Sequence, residues 1–182
     1  FSFWGMVKEA GLALRRFRGE YTFKVDGKGR VSIPALFRRV LEEGDPNWTT
    51  GLRPELVIVY GDESRDYLEV FTIAAIDALD TKIARLPRGP LRRRLERMVS
   101  GQSHQTEVDG DGRLVLPQKL REKIGLEAEA FFIATGETFQ IWKPDTFEAH
   151  DATFDEGLGA GIPEGTDPLD ALDMVLAADG GA

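Results

Sequence analysis

Two pairs of oppositely charged side chains stand at one spacing in this chain: Asp26 with Arg30, and Asp109 with Arg113. Each pair brackets a glycine-rich turn, Asp26-Gly-Lys-Gly-Arg30 and Asp109-Gly-Asp-Gly-Arg113. Aspartate and arginine four positions apart across a tight turn can fold back into an ion pair that braces it. Such a pair, if exposed, is worth only about 0–1 kcal/mol. Arginine can do more than brace, because its fork of donors leaves some free for a phosphate or for the acceptor edge of guanine. Both roles stay open for each pair. The turns differ at the tip, where the first carries Lys28 and the second Asp111. A cation there attracts phosphate and a carboxylate repels it, so the first turn is expected to bind and the second to lean toward structure.

Other chemistry is poorly supplied. The two histidines, His104 and His150, stand in no nucleophile or metal spacing, and there is no cysteine to act as nucleophile, disulfide or thiolate ligand. Read as a calcium loop, Asp109-Gly-Asp-Gly puts Arg113 at position 5 and Leu120 at position 12, where oxygen ligands are needed. Gly27 and Gly29 are not followed by Gly-Lys-Ser/Thr, and their turn opens a strand instead of a helix, unlike a phosphate loop. No enzyme, cofactor, metal or small-molecule substrate is expected.

The elements that must position the two pairs are themselves repeated. Val25 to Arg38 returns as Val108 to Arg121, a shift of 83 that carries Asp26 to Asp109, Gly27 to Gly110, Gly29 to Gly112, Arg30 to Arg113 and Pro34 to Pro117. A repeat that keeps its turn residues, charges and proline is one supersecondary unit used twice. In the first copy Tyr21, Phe23 and Val25 alternate with Thr22 and Lys24 as in a strand. Asp26 to Gly29 turns the chain, Arg30 to Ile33 resumes as a strand, and Pro34 opens a short helix with Leu36, Phe37, Val40 and Leu41 inward. A hairpin follows over Leu56–Tyr60 and Tyr67–Phe71. Ile73, Ile76, Leu79, Ile83 and Leu86 predict a helix over 73–86, and a second helix starts at Leu91 with Leu95, Met98 and Val99 inward and Arg92, Arg93, Arg94 and Arg97 outward. The second copy replays strand, turn, strand and helix to Gly125, then a hairpin over Ala130–Ala134 and Thr138–Trp142, and a last helix from Pro144.

Charge is unevenly placed. The net charge is −8, yet residues 1–149 hold all 23 Lys and Arg against 23 acids, and residues 150–182 hold the other 8 acids with no base. Residues 1–40 carry 9 bases against 3 acids. Such asymmetry bears on partners more than the overall charge does. The acidic end is expected to be disordered except for a short apolar stretch at 168–176. No apolar run approaches the roughly 18 residues of a membrane span, and the opening Phe-Ser-Phe-Trp-Gly lacks the flank and core of a signal peptide.

Phe-Arg-Gly-Glu-Tyr at 17–21, the two Asp-x-x-x-Arg turns, the paired prolines and Phe139-Gln-Ile-Trp142 resemble the MraZ family of transcriptional regulators over about residues 17–148. The resemblance implies an α+β fold, mainly β with short helices: a tandem swapped-hairpin barrel of the SpoVT/AbrB type, formed by internal duplication as a pseudo-dimer. It implies domains at 19–71 and 102–148 with a linking helical hairpin at 72–101; a basic extension at 1–18 and an acidic tail at 149–182 fall outside it. It further implies a cytoplasmic, nucleoid-associated ring-shaped homo-oligomer that binds double-stranded DNA at direct repeats upstream of its own division and cell-wall operon, usually as a repressor. Carried over by motif, DNA contact falls to Arg30, Lys28 and Asp26, with Arg18 from the Phe-Arg-Gly opening, Lys24 and Arg38 beside them, and Arg113 second. An antitoxin-like or assembly module is the competing reading.

The tail generates a first prediction. If its carboxylates suppress non-specific binding, removing residues 151–182 raises affinity for unrelated duplex DNA at low salt; unchanged affinity in a filter-binding titration refutes that role.

Overall fold

A computed structural model describes residues 16–153 and 157–180. It contains two compact units, one ending at Phe147 and one beginning at Glu148. In the first, β1 (Glu20–Lys24), β2 (Arg30–Ser32), α1 (Ala35–Glu43), β3 (Glu55–Val59) and β4 (Tyr67–Thr72) are followed by α2 (Ile73–Ala84) and α3 (Pro90–Glu96). The chain then opens into a wide π-helical turn (Arg97–Gly101) before β5 (Ser103–Glu107), β6 (Arg113–Val115), α4 (Gln118–Lys123), β7 (Glu129–Ala134), β8 (Thr138–Trp142) and α5 (Pro144–Thr153). The fold is α+β with antiparallel strands and short helices. Among the described residues no helix is long and apolar enough to cross a membrane.

Six strands form one antiparallel sheet in the order β1-β7-β8-β4-β3-β5, and β2 pairs with β6 in a separate two-stranded ribbon. Each half therefore lends its first strand to the hairpin of the other. The registers match in pairs: Glu20 faces Ile133 as Ser103 faces Val59, and Lys24 faces Glu129 as Glu107 faces Glu55. In the ribbon Val31 faces Leu114, with Arg30 opposite Val115 and Ser32 opposite Arg113. In the centre of the large sheet Glu69 faces Gln140. Exchanging the halves thus maps every one of these ladders onto itself or onto its counterpart.

The closed barrel expected from the sequence is not formed. The large sheet keeps β1 and β5 as edges, and only one bridge, Val25 with Val31, ties β1 toward β2. The Asp-Gly turns reverse the chain so sharply that β2 and β6 spend their three residues on each other and do not extend the large sheet.

One face of the sheet carries the main core. Phe37, Leu41, Leu56, Ile58, Leu68, Phe132, Phe139 and Ile141 are all fully buried there, together with Val31, Leu114 and Leu116 of the ribbon. Phe17, read in the sequence as part of a basic arm, belongs to this core and packs edge-on against Phe37 and Phe139 at centroid distances of 5.2 and 5.0 Å. Leu36 does not belong to it; more than half its surface is exposed, because it lies one step outside the arc of Phe37, Val40 and Leu41. On the opposite face, Val57, Val59 and Phe71 are covered by Ile76 and Ile83 of α2 and by Val99. Arg92 was expected to point outward with its neighbours. It turns back instead, donating to the carbonyls of Ala84 and Leu86 and to Glu96, and so closes the α2–α3 corner. Over β7 and β8, Phe147 of α5 packs on Phe131 and Trp142.

In the second unit, the short apolar stretch at 168–176 lies within a 12-residue helix, α6 (Pro168–Asp179), whose first turn is capped by the Asp167 carboxylate accepting from Leu169 N. A proline in the first turn and an N-cap aspartate favour its start at 168.

The turn glycines carry a testable constraint. Gly29 sits at φ +79°, and a Cβ there would come within 2.3 Å of the Leu116 carbonyl oxygen, a backbone atom with no freedom to yield. Gly29→Ala should therefore cost more than the ~1 kcal/mol of a left-handed alanine alone, read as a lowered urea midpoint. A midpoint within error of wild type would contradict this packing.

Candidate nucleic-acid interface

The site is built from the two turns outward. At the first, Asp26 Oδ1 accepts from the backbone N–H groups of Lys28 (3.0 Å) and Arg30 (2.9 Å), and its Oδ2 accepts from Arg30 Nε at 2.6 Å. Asp26 N in turn donates to Arg30 O, and Gly29 N to Asp26 O. One carboxylate thus ties together the turn and aims the arginine. At the second, Asp109 Oδ1 accepts from Asp111 N (2.8 Å) and Arg113 N (2.9 Å). The Arg113 guanidinium has slipped sideways: its Nε stands 3.5 Å from Asp109 Oδ2, an ion contact without a hydrogen bond, and its terminal nitrogen donates to Asp111 Oδ2 at 2.8 Å. Arg113 is held by two carboxylates where Arg30 is held by one.

The ribbon places both arginines on one surface. Residues two apart on a strand share a face, so burial of Val31 and Leu114 (1% and 0% exposed) turns Arg30, Ser32, Arg113 and Val115 outward together. Arg30 and Arg113 are diagonal neighbours across the ladder, about 7–8 Å apart by strand geometry. Each arginine side chain is about one-third exposed (36% and 33%).

The other residues singled out by the sequence are placed unequally. Lys28 is exposed at the first tip. Lys24 is exposed on the outer face of β1, opposite Glu129, one step before the turn. Arg18 is exposed too, but precedes β1 and lies at the end of that strand remote from the turn. Arg38 is not presented outward. It reaches across to the other half, where its guanidinium lies over Gly112 so closely that a Cβ there would meet it at 2.2 Å, and its Nε is buried without a hydrogen-bond partner. Arg121 makes the matching reach to Gly29 and donates from Nε to the Leu116 carbonyl. Arg15, within the basic extension at 1–18, lies outside the described residues. Among those described, no group of three or more His, Cys, Asp or Glu side chains could hold a metal ion.

The sequence comparisons bear on what this arrangement is for. The family model described as MraZ protein, antitoxin-like, matches residues 98–158. A Ruegeria sp. (strain TM1040) protein named transcriptional regulator MraZ is 61% identical over 160 residues, covering 87% of this chain and 96% of its own. The chain belongs to the MraZ family. A Cereibacter sphaeroides relative of the same name is 47% identical over 165 residues (86% of this chain, 95% of its own), and one from Rickettsia akari is 37% identical over 135 (74% and 85%). The name these MraZ proteins share is that of a regulator, a non-enzymatic role.

The carboxylates that organise the turns set a pH dependence. Asp26 is held below the usual carboxylate range, first by the hydrogen bond from the Arg30 backbone and then by the Arg30 guanidinium. Partial burial pushes Asp109 upward, but the backbone hydrogen bonds from Arg113 and Asp111 and the Arg113 charge outweigh it, so Asp109 also ends lowered. A depressed folded pKa contributes stability above the unfolded value and loses it as the pH falls through the carboxylate range, below roughly pH 4. The double variant Asp26→Asn, Asp109→Asn should therefore show a shallower loss of urea resistance between pH 6 and about pH 3 than wild type. Parallel curves would exclude these carboxylates from the acid transition.

Proposed function

We propose that the chain is a sequence-specific, DNA-binding transcriptional regulator, built from two swapped-hairpin domains of the SpoVT/AbrB type (19–71 and 102–148) that arose by duplication and act as a pseudo-dimer. The helical hairpin at 72–101 links them, 149–182 is an acidic tail, and a basic extension at 1–18 is tied to the core by Phe17. The observation that carries this reading is the outward ribbon bearing Arg30 and Arg113 side by side. A two-stranded ribbon is one of the two elements that the ~12 Å major groove admits. The names of the relatives support the regulator class, and the self-matching strand registers support the duplication.

Arg30, aimed by Asp26 and flanked by Lys28 and Lys24, is the principal reader; Arg113 is secondary, and Arg18 adds charge from the far end of β1. One such hairpin binds weakly. A closed ring of copies engaging direct repeats upstream of the chain's own division and cell-wall operon gains avidity through effective concentration, without new contacts. Occupancy of such repeats represses the operon. The antitoxin-like description of the family model favours a second reading, an assembly module that binds a partner protein, with DNA contact subordinate.

Binding to a duplex from upstream of the chain's own gene, titrated across salt, separates these. Arg30→Ala should lose about 1–3 kcal/mol of specific binding and flatten the salt dependence by about one phosphate per engaged turn, with the oligomer unchanged by light scattering. Equal affinity of the variant and wild type would defeat the assignment of Arg30. A smaller oligomer would instead make Arg30 a brace.

A further inference from the structure

The two halves can be superposed position by position beyond the strands themselves. Val25 N donates to Ala128 O and Val108 N to Pro54 O, so the exchange that relates β1 to β5 and β7 to β3 still holds at residues 54 and 128. The next position outward pairs Arg53 with Glu127, beside the second and first turns respectively. Two similar hollows, about 400 and 390 Å³, contain these residues; Arg53 and Glu107 line one, and Glu127 and Lys24 the other. Across this correspondence the charges are inverted. Lys24 becomes Glu107, Lys28 becomes Asp111, and Glu127 becomes Arg53.

The inversion changes which element supplies the cation. At the first turn Lys24 and Lys28 sit on the hairpin itself. At the second turn those positions are acidic, and the cations besides Arg113 come from outside it: Arg38 over Gly112, and Arg53 with a terminal nitrogen 3.7 Å from where a Gly110 side chain would begin. Of the three arginines there, Arg113 is held by Asp109 and Asp111, and Arg38 is half-buried. Arg53 is the accessible one. Its side chain is 57% exposed, and its ion pair among the described residues, to Glu107 at 3.1 Å, joins two half-exposed groups. A pair of that kind is held weakly in water and exchanges readily for a phosphate, while the guanidinium keeps donors to spare.

We propose that Arg53 is a phosphate-binding residue, which makes the second Asp-x-x-x-Arg turn a DNA-backbone site assembled from two segments of the chain. The hollow that holds Arg53 is lined by the carboxylates of Asp45, Glu55 and Glu107, so with Asp109 and Asp111 the surroundings of that turn are acidic, and Arg53 offsets them beside Arg113 and Arg38. Removing Arg53 leaves those carboxylates less offset, which disfavours the duplex that Arg30 engages. Arg53 therefore anchors backbone without reading bases, and its contribution is the same for every sequence. This inference rests on the DNA-binding reading of the ribbon.

The test uses the full-length chain, the upstream duplex and an unrelated duplex of equal length, each titrated across a potassium chloride series. Arg53→Ala should weaken binding to both duplexes alike and lower the slope of log affinity against log salt by about 0.9 for each engaged second turn. Arg53→Lys, which keeps the charge, should restore the slope; Arg53→Gln, which keeps polarity without charge, should not. The glutamine variant also preserves the measurement if alanine disturbs the fold. A slope unchanged in both uncharged variants, with Arg30→Ala still losing specific binding, overturns the role of Arg53 and leaves Arg30 in place. A lysine variant that fails to restore the slope reduces Arg53 to a structural contact. Absence of DNA binding by the wild type overturns both readings.

Discussion

Everything in the first compact unit depends on a reciprocal seam at the two turn glycines. Leu116 N donates to Gly29 O at 2.8 Å, and Ile33 N donates to Gly112 O at 3.1 Å. Each turn is completed by a backbone group from the other half and is roofed by the other half's arginine, Arg121 over Gly29 and Arg38 over Gly112. Each turn is thus locked in part from across the seam. The conformation that holds Arg30 in place is therefore a tertiary property, although every residue of the Asp-Gly-Lys-Gly-Arg turn is local. A brace worth little as an exposed ion pair becomes specific because the backbone beneath it is locked from across the seam.

On this matched frame the surface chemistry has diverged. The core positions that the halves share are apolar in both, as with Val31 and Leu114, or Leu68 and Phe139. The outer face is covered differently on each side: α2 and α3 lie over β3 and β4, whereas Phe147 at the start of α5 lies over β7 and β8. Ile76 of α2 and Phe147 of α5 each fall four positions into the segment after their hairpin, so the same packing problem is solved by an aliphatic side chain in one half and an aromatic in the other. Apolar burial tolerates such swaps if volume and patterning are kept. Charge at an exposed turn is under no packing constraint, which is why Lys28 and Asp111 can differ in sign without disturbing the backbone they share.

Much of this was legible in the residues. The shift of 83 located both turns, both ribbon strands and both short helices, because Asp, Gly and Pro report backbone geometry directly. Alternation located the two hairpins, and Pro144 marked α5. The pairing of the strands was not legible, since nothing in Glu20–Lys24 names Glu129–Ala134 as its neighbour, and the expectation of a closed barrel failed at that level. Three side chains were misread for one reason: Phe17, Leu36 and Arg92 were assigned from their neighbours in sequence, while their burial is decided by elements distant in it. Arg38 was grouped with the outward cations by its charge; the seam turns it inward. Arg53 carried no motif at all, and a strand register was needed to reveal its counterpart at Glu127.

The exchange of first strands also has a consequence in time. Glu20 of β1 faces Ile133 of β7, so a strand made near the start of synthesis waits for one made more than 100 residues later. At the usual 5–20 residues per second that is an interval of roughly 5–20 s on the ribosome. During it the β3–β4 hairpin can close locally, but its β3 edge lacks β5 and its β4 edge lacks β8. Unpaired strand edges accept any chain of suitable pattern, and the chain's own β1 is unpaired over the same interval. The exchange of first strands between the halves thus leaves the closing ladders without partners until the second half is made.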